Sequence, residues 1–165
     1  MTDHGPVPPG TLVSPHFSFG ELTVTEHRDV LAEQADPPAQ VRANLRRLAV
    51  DLLEPVREIV GRLHVNSGYR SPALNAAIPG SSRTSRHMDG LAADVFPLDM
   101  SLHDAYQRIF QSSIPWDQLI WEWGRWIHVG AALHGQEPRR QALMIFAPGR
   151  YEPFAASDPR FRGAA

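Results

Sequence analysis

Between Val41 and Leu63 the apolar residues Val41, Leu45, Leu48, Leu52, Val56, Ile59 and Leu63 recur at steps of three and four, the spacing of one buried helical face. Asp36-Pro37-Pro38 precedes this stripe, and proline suits a first helical turn. Pro55 falls inside it and predicts a kink or a division into two helices. His64 to Gly68 reads as a short strand entering a turn, and Ser71-Pro72 caps and starts a brief helix. Leu91 to Phe96 alternates as a strand, with Ala92, Asp94 and Phe96 on one face. A helix over 101–112 carries Leu102, Tyr106 and Phe110. Three further apolar segments, 118–122, 126–131 and 141–146, are most simply antiparallel strands. The order predicts an α+β fold, with helices packed on one side of a small central, mostly antiparallel sheet.

The ends of the chain change this picture little. Residues 1–15 are rich in Gly and Pro and predict a flexible N-terminal segment, followed by a Phe17–Leu22 stretch that docks its aromatics. The domain proper spans 16–147, and the tail 148–165 offers few core-forming residues. With 165 residues, 42% hydrophobic and 21% charged, the chain suits one domain with a real core. A formal net charge of -2 without a basic stripe argues against nucleic acid as a partner. No apolar run approaches the ~20 residues of a membrane span, and Met1–Pro6 lacks the marks of a signal peptide. There is no cysteine, so neither disulfides nor thiolate ligands arise.

Candidate chemistry gathers in Ser85-Arg86-His87-Met88-Asp89-Gly90-Leu91-Ala92-Ala93-Asp94 and Trp126-Ile127-His128-Val129. Two imidazoles and a carboxylate, His87, Asp94 and His128, form the ligand set of an open catalytic zinc site. Gly90 lets the chain turn from loop to strand, and Ala92 and Ala93 leave room for an enclosed ion. Asp94 in an apolar strand needs a cation, either a metal or Arg70 or Arg86. Glu122 is the candidate general base, under one condition of register. A three-residue turn, 123–125, pairs Glu122 with Trp126 and puts it on the face of His128, whereas a two-residue turn faces it away. Arg70 is placed to stabilise an oxyanion or to pair with Asp94, and Ser85 to bind substrate or orient a ligand. No Gly-x-Ser-x-Gly elbow, His-Glu-x-x-His or phosphate loop occurs, and His4, His16, His27, His64, His103 and His134 lie outside the pattern.

Asn66-Ser67-Gly68-Tyr69-Arg70-Ser71-Pro72, Ser85-x-His87-x-x-Gly90-x-Ala92-x-Asp94 and Trp126-x-His128-Val129 together resemble the M15 zinc peptidases. These include D-Ala-D-Ala carboxypeptidases, D,D-dipeptidases and phage L-alanyl-D-glutamate endopeptidases. The resemblance spans about 18–146 and is nearest to the short phage-type members. It implies that His87, Asp94 and His128 hold zinc, that Arg70 binds the scissile carbonyl and that Ser85 lies beside the substrate. It also implies a compact fold like that of the hedgehog signalling domain. One departure stands out: better-known members carry the catalytic Glu three residues before the last His, where this chain has Arg125. Glu122, six before, is the nearest acid, with Asp117 behind it.

The expected function is hydrolysis of peptidoglycan stem peptides by a monomer, as D,D-carboxypeptidase or L-Ala-D-Glu-type endopeptidase. A phage or prophage lysin, cytoplasmic until released or carried in the virion, fits the missing leader. The alternatives are a zinc-containing binding module for cell wall or protein, and a structural virion component.

Overall fold

A computed structural model describes residues 7–162. Its helices are α1 (Phe19–Leu22), α2 (Leu31–Ala35), α3 (Ala39–Leu48), α4 (Glu54–Val60), α5 (Pro72–Ala77) and α6 (Leu102–Gln111). Its strands are β1 (Leu63–Ser67), β2 (Ala92–Pro97), β3 (Gln118–Glu122), β4 (Trp126–Gly130), β5 (Gln141–Ala147) and β6 (Arg150–Pro153). The strands form one sheet in the order β1-β2-β4-β3-β5-β6. The class is α+β, as the hydrophobic pattern implies. No described helix is long and apolar enough to cross a membrane.

Strand alternation divides the sheet cleanly. Val65, Ala93, Val95, Leu119, Trp121, Ile127, Val129 and Met144 point into the core beneath the helices. There they meet Leu45, Leu48, Leu52 and Val56 from the long helical run, and Ala105, Tyr106 and Ile109 from α6. The opposite face carries Asp94, His128, Ile120, Glu122, Leu143 and Ile145, in register across four strands. Since the helices cover the first face, the second is left for a groove.

Four departures from the sequence reading have physical causes. First, β5 is not antiparallel to its neighbour: it runs parallel to β3, from Gln118↔Gln141 to Glu122↔Ile145. The chain after β4 returns along 131–140 and starts a new strand beside the beginning of β3. Second, the helix divides at Pro55 as expected, but the division runs through a π-helical stretch, Ala49–Leu53, in which Glu54 N donates to Ala49 O. That widening accommodates the proline ring and its missing donor. The extra residue rotates the apolar face, so Leu53 and Val60 are buried while Ile59 is half-buried. Gly61, at φ 84°, ends the helix and hands Leu63 to β1.

Third, the part of the N-terminal segment that is described is tied down. Phe19 N donates to Thr11 O (2.8 Å), Gly20 N to Pro9 O (2.7 Å), and Ser14 Oγ to Glu54 Oε1 (2.6 Å). Its first six residues lie outside the described range. Fourth, the tail does build core: Phe161 is buried, its ring 4.8 Å from that of Trp121 and 5.3 Å from that of Tyr106. Aromatic packing of this kind adds to the area it buries. A lone Phe in a polar stretch carries no periodicity to announce it.

Candidate metal centre

Three strands and two loops bring the chemistry together. Asp94 on β2 stands opposite His128 on β4, and both are buried. His87 arrives from the loop before β2. Gly90 turns that loop at φ 68°, and a Cβ there would meet Val41 O at 2.9 Å, so only glycine fits. His87 Nδ1 lies 2.6 Å from Gly68 O. A carbonyl only accepts, so Nδ1 carries the proton and Nε2 of the neutral ring presents its lone pair.

That lone pair faces the other two side chains. His87 Nε2 is 3.1 Å from His128 Nδ1 and 3.2 Å from Asp94 Oδ1, and His128 Nδ1 is 3.0 Å from the same oxygen. Three acceptor-capable atoms thus converge with at most one proton shared among them in their neutral-histidine forms. Tetrahedral zinc with bonds of about 2.0–2.1 Å holds neighbouring donors roughly 3.3 Å apart. Burial lowers the pKa of His87, which keeps the ring neutral and able to ligate. Asp94 is pushed up by burial, but the two histidines outweigh that and hold it well below the usual carboxylate range. The described residues offer no partner to His128 Nε2, which is buried. The donor set fits a metal ion: His87, Asp94 and His128 can hold one.

Arg70 forms the ion pair that the sequence allowed: its Nη2 donates to Asp94 Oδ2 at 2.5 Å and its Nε to Ser67 Oγ at 3.0 Å. Arg86 takes a different partner, Asp89, at 3.1 Å. The turn around Arg70 is clamped by Gln34, which donates to Tyr69 O at 2.5 Å and accepts from Ser71 N at 2.9 Å. Gln34 and the Gly68 carbonyl are positioning groups that sequence reading missed, because their roles depend on residues up to 37 positions away.

The register condition on Glu122 is met. Glu122 pairs with Trp126 across the 123–125 turn, where Trp123 and Gly124 take φ of 59° and 66°. Glu122 Oε1 lies 4.0 Å from His128 Nδ1, and Oε2 accepts from Trp126 Nε1 at 3.0 Å. Burial, with the Asp94 charge adding to it, pushes the Glu122 carboxyl up to about 7. Such a group is poised to take and return a proton near neutrality. Asp117, the other acid considered, is committed elsewhere. Arg139 grips it through N, Nε and Nη2 at 2.6 to 3.1 Å. Burial raises the Asp117 carboxyl, but those bonds win and hold it below its ordinary value. With Gln141 N donating to Asp117 O at 2.9 Å, this clamp sets where β5 begins.

Replacing Asp117 by Asn is therefore expected to lower unfolding free energy by about 1–3 kcal/mol, read by urea denaturation, with metal content unchanged. A catalytic loss of a hundredfold or more at unchanged stability would instead make Asp117 the base.

Ser85 lines the groove over the site, its Oγ accepting from His87 N at 3.3 Å. The groove encloses about 880 Å³, within the roughly 300–1,000 Å³ usual for ligand sites. Its floor is Gln118, Ile120, Glu122, Leu143 and Ile145, and Tyr151 from β6 also lines it. Tyr151 was not foreseen, although Pro148-Gly149 is a turn signal that would have placed it opposite Ile145.

Comparison with known proteins agrees with this geometry. The family model described as Peptidase M15 matches residues 15–130, which contain the three convergent side chains, Arg70 and Glu122. No curated protein matches the chain.

Proposed function

We propose, for a chain that belongs to the Peptidase M15 family and is therefore a metallopeptidase, that it is a zinc enzyme hydrolysing peptide bonds in peptidoglycan stem peptides. The observation that carries this reading is the buried triangle of His87, Asp94 and His128 with Glu122 Oε1 4.0 Å from one corner. Zinc held by those three would lower the pKa of water and polarise a carbonyl. The remaining work falls to the chain. Glu122 accepts a proton from the attacking water at Oε1 and passes it to the leaving amine, while Trp126 Nε1 steadies its other oxygen. Arg70 holds Asp94 by Oδ2, which leaves Oδ1 to the histidines, and its remaining N–H groups face the carbonyl that gains charge. Gly68 holds His87 in the ligating tautomer. Ser85, at the groove wall, hydrogen-bonds the substrate backbone.

The finer reading is a D,D-carboxypeptidase or L-Ala-D-Glu-type endopeptidase of phage or prophage origin, acting on the wall after release from the cytoplasm or the virion. A groove floored by apolar Ile120, Leu143 and Ile145 with polar ends suits a short stem peptide. The rival, a zinc-containing binding module, is the better reading only where no carboxylate faces the ligand set, and Glu122 faces it.

Digestion of purified murein followed by mass spectrometry is the test. New amine termini in the stem peptide are expected, lost with chelator and restored by zinc. Metal-loaded protein that binds murein without releasing fragments would favour the binding module. The masses identify the bond.

A further inference from the structure

The β5–β6 hairpin lies beyond the segment matched by the family model, yet it reaches the reaction centre. Glu122 on β3 pairs with Ile145 on β5, and Ile145 pairs with Tyr151 on β6. Paired residues share a face, so Glu122, Ile145 and Tyr151 form one row on the groove side of the sheet. Two strand spacings put the Glu122 and Tyr151 backbones about 10 Å apart, with Ile145 between them on the groove floor. Gly149 at φ 69° closes the hairpin, and a Cβ on Gly80 would sit 3.7 Å from Pro148 Cβ. The hairpin turn therefore lies beside Gly80 of the 78–82 loop, and both line the groove.

Tyr151 is 47% exposed, and its hydroxyl has no hydrogen-bond partner among the described residues. The contrast with Arg70 is instructive: that guanidinium already serves Asp94 and Ser67. We propose that Tyr151 is a further catalytic residue, its phenol O–H donating to the carbonyl oxygen of the scissile bond as negative charge builds there, from the wall opposite Arg70. Burial and the negative charges of Glu122 and Asp94 raise the phenol's pKa, which keeps it protonated and therefore a donor. A preorganised donor of this kind favours the transition state over the ground state.

The inference rests on the reading of Glu122 and the three ligands as the active site, so the test includes Glu122→Gln as a separate arm. Tyr151→Phe removes one oxygen from a half-exposed ring, and its melting temperature and zinc content are expected to match wild type. Its kcat on a murein stem peptide should fall roughly 10–30-fold, less than the 10²–10³ of a fully enclosed donor, with KM within twofold. A phosphinate peptide, which mimics the tetrahedral state, should bind Tyr151→Phe weaker by a similar factor, while the product peptide binds equally to both. Wild-type kcat and phosphinate affinity in Tyr151→Phe overturn the proposal, even where Glu122→Gln is inactive. A raised KM with unchanged kcat overturns it too, because it makes Tyr151 a binding residue only. Activity surviving in Glu122→Gln refutes the base and leaves the Tyr151 comparison to be read on its own.

Discussion

Glu122→Gln is expected to lose about 10²–10⁴-fold in kcat while keeping its metal, and at alkaline pH the metal-free protein should become more stable. Both effects come from one side chain. The amide cannot take a proton from water, but it can still accept from Trp126 Nε1, as Oε2 does at 3.0 Å. The stability effect follows from the direction of the shift. In the fold the carboxyl is raised to about 7 from an ordinary 4.5, chiefly by burial. The folded state therefore holds a proton that the unfolded chain has already released. Stability contributed by that proton is complete below about 4.5 and is lost as pH rises through about 7. Above that range the native protein carries a buried charge at a cost on the order of 3 kcal/mol. Thermal unfolding in chelator should show Glu122→Gln above wild type at pH 8 and level with it at pH 4. A variant no more stable at pH 8 would mean that the carboxylate is better solvated than its 17% side-chain exposure implies.

The second large effect separates two ligands that look equivalent in a metal assay. Asp94→Ala and His128→Ala should both abolish zinc binding and murein hydrolysis. In chelator, however, they should part. Asp94 accepts from Arg70 and lies within 3.2 Å of a ring nitrogen of each histidine. Its loss leaves the Arg70 guanidinium, 15% exposed, with Ser67 as its remaining partner. Stranding one member of a buried pair costs roughly 3–5 kcal/mol. His128, with Nε2 already unpartnered among the described residues, leaves no charge behind. Its removal should cost about 1–3 kcal/mol, mostly lost packing. Denaturant unfolding of the two metal-free variants gives the difference directly. Equal losses would show that Arg70 finds another partner, and the role of Asp94 would then reduce to that of a ligand.

Much of the site was legible because its residues sit in short, dense motifs. His87, Gly90 and Asp94 lie within eight positions of one another, and the alternation of β2 aims Asp94 away from the core residues Ala93 and Val95. Ser71 caps α5 through Leu74 N at 3.2 Å, as its place before Pro72 implies. Glu122 was legible only conditionally. Two turn lengths were possible, and a single residue more or less would have turned the carboxylate into the core. Asp117 and Glu122 are both acids in apolar surroundings. What separates them is Arg139, 22 residues on, which holds one and not the other.

Periodicity and motif spacing, acting over a few residues, determined the α+β class, the strand that carries Asp94, the helix over Leu102–Gln111 and the identity of the three convergent side chains. Tertiary structure alone decided the parallel entry of β5, the burial of Phe161, the clamp of Gln34 on the Arg70 turn and the arrival of Tyr151 in the groove that holds Glu122. The division has a physical reason. Side-chain direction along a helix or strand is set by backbone geometry, which each residue shares with its neighbours. Which strand lies beside which, and which acid finds an arginine, is settled only when distant segments compete for the same surface.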